Sequence, residues 1–399
     1  MLRFRHLISA AGFPAYLYGF SAIDSYLGRS GSAAVHVLCG ADISDLARLF
    51  EDIRYPGAAF ADAAVDFEEA TVYFRCEDAD DLLQCRRSSF QFLEFFQDCK
   101  TGRFFDPNNL YPLLREIRDG SGARDSVAQW REWLDTKADF RRAAPDAALI
   151  IARYFPDTSS RTINEIAKMC NNFEGAPPLC AEEQRQLLTG LLETANPAPG
   201  LELLKNAGYI GAYWSELAAM DDVDHSKEFH PEGNVWKHTM ETLRYRKTGG
   251  RKPSSPSSGF DIRLSLGLLL HDAGKPLSQS AGSRRFDGHA ELGERQARRF
   301  LERLEFDRSL VTDVCYLVRN HMLPAALPRL PLARTGKIMA SPLFPTLMEL
   351  YRCDESSSFK GLDGYYQSSA AYQAYLKNRR NPYRSADGKK LKREEIKRF

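Results

Sequence analysis

Six side chains of metal-ligand type fall along one stretch of the 399-residue chain: His238, the adjacent pair His271-Asp272, His289, His321 and Asp354. The chain has eight histidines, and six lie between His225 and His321. Imidazole and carboxylate together make the ligand set of a divalent cation that activates water. His271-Asp272 follows the apolar run Leu266-Gly-Leu-Leu-Leu270. Burying both without a partner costs on the order of several kcal/mol; a cation supplies the missing compensation. Gly274 ends the helix and Lys275 follows at once, where an ammonium reaches a phosphate held on the cation. The expected first position is therefore His238, His271, Asp272 and Asp354, with His271, Asp272 and Lys275 as the catalytic group. His289 and His321 complete a second position bridged by Asp272, or touch the phosphate directly; Arg319 is a further phosphate contact. The expected cofactor is a divalent ion (Mn, Ni, Mg or Fe). His225 and His230 read as ordinary core residues.

Helical periodicity must position these groups. Val311, Val314, Cys315 and Val318 repeat at helical spacing, and His321 continues their stripe. Leu343, Leu347, Leu350 and Tyr351 form another stripe that Asp354 extends. Both ligands are expected to point inward. The insert Thr248-Gly-Gly-Arg-Lys-Pro-Ser-Ser-Pro-Ser-Ser-Gly259 reads as a flexible surface loop.

Upstream, Leu110–Ile117, Val127–Leu134, Ala147–Tyr154, Glu182–Thr194 and Gly200–Ala207 read as helices. In the first hundred residues, Ala33–Cys39 and Thr71–Cys76 read as strands and Ile43–Ile53 as a helix. Net charge is +1, which argues against a chain that is basic throughout. The end is basic nonetheless, from Lys377 to Arg398, as in a solvated tail or a phosphate-backbone contact. No stretch approaches a membrane span, no signal peptide is evident, and the scattered cysteines read as reduced cytoplasmic thiols.

His238, His271-Asp272 and Asp354 match the signature of the HD superfamily of metal-dependent phosphohydrolases. The phrases Pro197-Ala-Pro-Gly-Leu-Glu-Leu-Leu-Lys-Asn-Ala-Gly-Tyr-Ile, Glu228-Phe-His-Pro-Glu-Gly-Asn-Val-Trp-Lys-His-Thr and Val318-Arg-Asn-His resemble bacterial tRNA nucleotidyltransferases of the poly(A) polymerase family. Many of those carry a C-terminal HD domain. The resemblance implies phosphatase, 2′-nucleotidase or 2′,3′-cyclic phosphodiesterase chemistry on a nucleotide or RNA, with tRNA among the candidates.

The N-terminal region departs from that family. Tyr16-Leu-Tyr-Gly-Phe-Ser-Ala-Ile-Asp-Ser-Tyr-Leu-Gly-Arg29 resembles its nucleotide-holding phrase and keeps Gly19, Asp24 and Arg29, but has Phe20 for the second glycine and Ile23 for an arginine. The next strand should carry two carboxylates at i and i+2, which share one face; Val35 and Val37 stand there. Arg86-Arg-Ser-Ser-Phe90 has serine for an aspartate, while Phe104-Phe-Asp-Pro107 keeps a family turn. The neck keeps Arg153 but has Ala147 and Ile150 for arginines. Gly19, Asp24, Arg29 and Arg153 are read as a remnant nucleotide site. Asp66 and Glu68 form another i, i+2 acidic pair, read as a solvated edge.

The expected fold is α+β: a small mixed-sheet head at 1–108, a helical neck at 109–208, an all-α HD domain at 209–360 and a basic extension at 361–399. The expected function is a metal-dependent phosphohydrolase with an inactive nucleotidyltransferase-like head. The alternatives are an active tRNA nucleotidyltransferase with divergent carboxylates and a non-catalytic RNA-binding protein.

Overall fold

The computed structural model describes residues 2–29, 34–55, 61–67, 70–77, 94–119, 127–135, 140–170, 179–224, 233–247, 260–280, 286–358 and 361–381, with 383, 385 and 389. The expectations for Arg86–Phe90, Glu68, His225, His230, the 248–259 insert and most of the basic end lie outside these residues. The chain forms two compact units, Met1–Tyr213 with Lys247–Asp261, and Trp214–Arg246 with Ile262–Phe399. The expected head and neck both fall in the first unit. The expected HD domain begins the second at Trp214, and the C-terminal extension joins it.

The first unit opens with α1 (Leu2–Ala10), α2 (Phe20–Tyr26) and α3 (Ile43–Leu49) set among six strands. The strands are β1 (Ala15–Tyr18), β2 (Ala34–Cys39), β3 (Ala63–Phe67), β4 (Ala70–Cys76), β5 (Phe96–Asp98) and β6 (Phe104–Phe105). They form one mixed sheet in the order β3-β4-β2-β1-β5-β6. Only β2 and β4 pair in parallel.

Period-2 alternation sorts the sheet into two faces. Leu17, Val37 and Phe74 are cross-strand neighbours and fully buried, and Phe50 stacks on Phe74 at 5.5 Å. Tyr18, His36 and Tyr73 form the adjacent row on the other face. His36 stacks on Tyr73 at 5.4 Å and meets Tyr18 edge-on at 5.8 Å. Val35 and Val37 therefore serve the covered apolar face. Burial and the nearby Arg153 charge hold the His36 ring down to about 4, so the face approached by the neck carries His36. The positions expected to lack the family's carboxylates, Val35 and Val37, therefore lie on the covered face, and β2 carries no acid on either face. Asp66 is engaged by Arg54 and by Thr71 Oγ1, a structural pairing at the sheet edge.

The neck follows as α4 (Tyr111–Asp119), α5 (Val127–Asp135), α6 (Phe140–Tyr154), α7 (Ser160–Cys170), α8 (Ala181–Leu192), α9 (Ala198–Asn206) and α10 (Tyr209–Tyr213). Asp106 accepts from the backbone N–H groups of Leu110 and Tyr111, each at 2.7 Å, and so starts α4. Gly200 lets α9 lie against α6, since a Cβ there would stand 2.6 Å from Ala148 O.

Head and neck are joined through the remnant phrase. Gly19 has φ +57° and begins α2, a backbone conformation that glycine tolerates best. Asp24 Oδ1 accepts from Tyr154 Oη at 2.8 Å, and its Oδ2 accepts from Arg153 Nη2 at 2.5 Å. Arg153 also lies 4.6 Å over the Phe20 ring, and Arg29 lies 5.0 Å over Tyr154. Three of the four remnant residues thus converge, and Phe20 gives Arg153 a platform.

Among the described residues, the second unit is helical apart from 3₁₀ turns and one antiparallel bridge between Asp224 and Asn234. It comprises α11 (Ser215–Ala218), α12 (Val235–Arg244), α13 (Ile262–Leu270), α14 (Lys275–Ser280), α15 (His289–Arg303), α16 (Arg308–Asn320), α17 (Leu323–Ala326), α18 (Leu332–Met339), α19 (Phe344–Ser356) and α20 (Asp363–Arg379). Every residue of α13 from Leu264 to Leu270 is buried. A Cβ on Gly267 would stand 3.1 Å from Leu317 of α16 and from Leu350 of α19, so this apolar helix is the axis of the unit. Among the described residues, no helix is long and apolar enough to cross a membrane.

Breaking a mostly buried ion pair from one side strands a charge and costs about 3 kcal/mol. Asp24→Asn is expected to lower the unfolding free energy of the first unit by about that much, read as a drop in urea midpoint. Asp24→Asn with Arg153→Met should cost less than the sum of the single changes. A midpoint unchanged by Asp24→Asn would show that this contact contributes nothing.

Candidate metal centre

The ligand-type residues sit mostly where helices begin or end. Asn234 caps α12 by accepting from Lys237 N at 2.9 Å, and its own amide donates to Asp221 O at 2.8 Å. This fixes the first turn that carries His238. His271 and Asp272 occupy the turn after α13, and His289 opens α15. His321 caps the C-terminus of α16, and Asp354 lies in the last turn of α19. A very close helix approach brings Asp272 to His289. A Cβ on Gly274 would stand 2.0 Å from His289 O and 2.4 Å from Gly293 N, so only glycine fits.

Two overlapping sets of ligand atoms result: His238, His271 and Asp272, and Asp272, His289 and His321, each within 4.8 Å. Asp354 joins the first set. His238 Nε2 lies 3.0 Å from Asp354 Oδ1 and 3.9 Å from Asp272 Oδ2. His271 Nε2 lies 3.3 Å from Asp272 Oδ2 and 4.0 Å from Asp354 Oδ1. The other Asp272 oxygen, Oδ1, stands 3.7 Å from His289 Nε2 and 3.8 Å from His321 Nε2. His238, His271, Asp272 and His321 are each at most 2% exposed.

Hydrogen bonds at the back of each ring set the tautomers. His271 Nδ1 lies 2.7 Å from Leu268 O, His289 Nδ1 2.7 Å from Phe286 O, and His321 Nδ1 2.7 Å from Val318 O. A carbonyl only accepts, so each Nδ1 carries a proton and donates it. The neutral ring then has a bare lone pair at Nε2. Burial is the main cause that lowers His321 to about 4, and it lowers His289 too, so both rings are neutral near pH 7. Their Nε2 atoms nevertheless face each other at 3.1 Å. Two lone pairs at that distance repel unless a positive charge lies between or beside them. His271 Nε2 is buried and makes no hydrogen bond. These orphaned nitrogens fit a divalent cation.

The carboxylates are held ionised. Burial pushes Asp272 up, but neighbouring positive charge, with the Lys275 ammonium in direct contact, holds the acid well below its ordinary range. Burial likewise pushes Asp354 up, and the His238 contact overrides it. Lys275 Nζ donates to Asp272 Oδ2 at 2.6 Å and lies 5.6 Å from the Phe286 ring. In the protein alone, this lysine therefore serves as the counter-charge of the buried aspartate.

His238, His271, Asp272, Asp354, His289, His321 and Lys275 all come together. Arg319 does not. It is exposed and donates to Glu294 Oε2 at 2.7 Å, because on a helix a residue two positions before His321 points the other way. Sequence reasoning missed the carbonyls of Leu268, Phe286 and Val318, and it missed Ser357. Each of those carbonyls lies three residues before its histidine. The signal available was an apolar helix ending just ahead of the imidazole, at His271 and His321.

The HD domain family model matches residues 235–341, a span that holds four of the histidines and Asp272 but stops before Asp354. A CC-adding tRNA nucleotidyltransferase of Thermus thermophilus is 34% identical over 145 residues, covering 35% of this chain and 31% of that protein. A multifunctional CCA protein of Halorhodospira halophila is 28% identical over 185 residues, covering 45% of this chain and 42% of its own length. The matched stretch thus spans less than half of either relative. A solved CCA-adding enzyme in complex with ATP aligns over 95% of this chain and 83% of its own, at 11% identity and a TM-score of 0.45.

The tight turn at Gly274 offers a direct check of how the centre is assembled. Gly274→Ala must push backbone aside and is expected to cost about 3 kcal/mol. Gly211→Ala, where a Cβ meets nothing within 4 Å, is the control and should be neutral or slightly stabilising. Equal urea midpoints for the two variants would show that the turn adapts freely.

Proposed function

We propose, for a chain that carries an HD domain and is related to bacterial tRNA nucleotidyltransferases, that the cluster is the centre of a metal-dependent phosphohydrolase. The observation that carries the reading is the set of imidazole nitrogens aimed at two shared carboxylates, with the His289 and His321 nitrogens facing each other at 3.1 Å. His238, His271, Asp272 and Asp354 would hold one cation, and His289, His321 and Asp272 a second. When bound, a divalent cation supplies Lewis acidity toward a phosphoester and lowers the pKa of water. The nitrogen-rich ligand set suits Mn, Fe or Ni better than Mg, which prefers oxygen. Asp272 turns Oδ2 toward His238 and His271 and Oδ1 toward His289 and His321, so it would serve both sets. Lys275, once Asp272 is neutralised by a cation, is placed to hold a phosphate oxygen. The substrate class is a nucleotide or an RNA 2′,3′-cyclic end, with tRNA among the RNA candidates.

The names of the relatives favour a second reading, a tRNA nucleotidyltransferase, over the hydrolase. Loss of the head's chemistry is argued from substitutions in its sequence and from β2, which has no carboxylate, and the relatives lend it no support. An active head would need its metal-binding acids from elsewhere.

Two assays separate the readings. With Mn²⁺ or Ni²⁺, the protein is expected to hydrolyse bis-p-nitrophenyl phosphate and 2′,3′-cyclic AMP. His271→Ala with Asp272→Ala should reduce that rate by at least about 100-fold, since losing even an outer partner of a ligand costs about 10–100-fold. Hydrolysis that survives the double change would rule out this centre. In the second assay, labelled CTP or ATP is offered with tRNA lacking its 3′ end. No incorporation is expected; incorporation would overturn the loss of head chemistry.

A further inference from the structure

His238 differs from the other three imidazoles. His271, His289 and His321 sit at helix ends and donate Nδ1–H to a carbonyl three residues back. His238 lies inside α12, where main-chain carbonyls are taken up by the helix. Its Nδ1 instead faces Ser357 Oγ at 3.3 Å. That hydroxyl has one proton, and it donates it to Asp354 O at 2.7 Å. Toward His238 it can only accept.

We infer that Ser357 is the positioning residue of His238: it draws the ring proton to Nδ1 and so presents Nε2 to the cation. The inference rests on the reading of this cluster as a metal centre. Asp354 alone works against that presentation. With its Oδ1 at 3.0 Å from Nε2, it favours a proton on Nε2, the nitrogen a cation needs. Ser357 Oγ spends its one proton on Asp354 O and can only accept from the ring, so it favours the tautomer with the proton on Nδ1. Without it, the neutral ring keeps its proton on Nε2 against Asp354 and blocks that side of the centre. Ser357 and Asp354, three residues apart at one end of α19, thus grip both nitrogens of a histidine on α12.

The test is titration of the full-length, metal-stripped protein with Mn²⁺ and with Ni²⁺ by calorimetry, with bound metal counted by elemental analysis. Ser357→Ala is expected to weaken binding about 10–100-fold, the usual cost of removing a partner behind a ligand. Ser357→Thr, which keeps the acceptor, should restore it. Melting temperature in EDTA should match between wild type and Ser357→Ala, since the role concerns the cation and not the fold. Affinity unchanged in Ser357→Ala, with wild type binding metal, overturns the inference and leaves the metal centre standing. Equal weakening in Ser357→Ala and Ser357→Thr also overturns it, by pointing to packing rather than proton placement. A wild type that takes up neither ion overturns the metal reading itself.

Discussion

Imidazole lone pairs gathered around a buried carboxylate are the constraint on which the second unit depends. Nitrogen without a partner is costly in a low-dielectric interior. The chain meets that cost from behind. It protonates each Nδ1 onto a fixed acceptor and leaves each Nε2 to a shared centre. Helix ends make this possible, because carbonyls in the last turn have no intrahelical donor. His271 and His321 take those free carbonyls, at Leu268 and Val318. His289 uses Phe286 O, and Phe286 holds a left-handed backbone, φ +56°, in the segment leading into α15. The architecture follows from this. Helices must end at the centre, and an apolar helix must deliver His271 and Asp272 to it. α13 does so because all its sides are covered, with Gly267 letting Leu317 and Leu350 close on it.

In the first unit, a buried acid is compensated by side chains. Asp24 is as well compensated as Asp272, but by Arg153 and Tyr154, whose donors take both carboxylate oxygens. An acid satisfied by an arginine and a phenol is a joint between elements. The face that the neck approaches is aromatic, with Tyr18, His36 and Tyr73 in a row. Its imidazole is kept neutral by burial and by the Arg153 charge. β2 carries no carboxylate on that face.

The site was more legible than the sheet. His321 and Asp354 were found from apolar stripes, which report burial reliably because a 3.6-residue period leaves few alternatives. Five helices in the neck were placed to within a few residues, apart from the start of α6, while α1, α7 and α10 went unnoticed. β1 was read only as part of a phrase, and β5 and β6 are too short to show alternation. Which face of β2 is covered was not legible either. Ala-Ala-Val-His-Val-Leu-Cys fits either face, and the packing of Phe50 on Phe74 beside Val37 shows which one is covered. Arg319 was misplaced because adjacency to His321 in sequence is not adjacency on a helix. Ser357 was invisible for a general reason. A hydroxyl gains its role from the atoms around it, and those come from a helix more than a hundred residues away.

The two functional readings do not compete for residues. Each ligand-type side chain of the centre, and each hydrogen bond that orients one, lies in the second unit. Asp24, Arg153, Tyr154 and all of β2 lie in the first. Kinship with nucleotidyltransferases therefore adds nothing for or against the charge balance around Asp272, and that balance says nothing about polymerase chemistry at the sheet. What supports a cation at the cluster is electrostatic. A carboxylate held ionised in the interior needs positive charge, and Lys275 contacts only Oδ2. Oδ1 faces His289 and His321, whose rings are neutral near pH 7. A divalent cation would supply the charge missing on that side and would remove the repulsion between the two facing nitrogens.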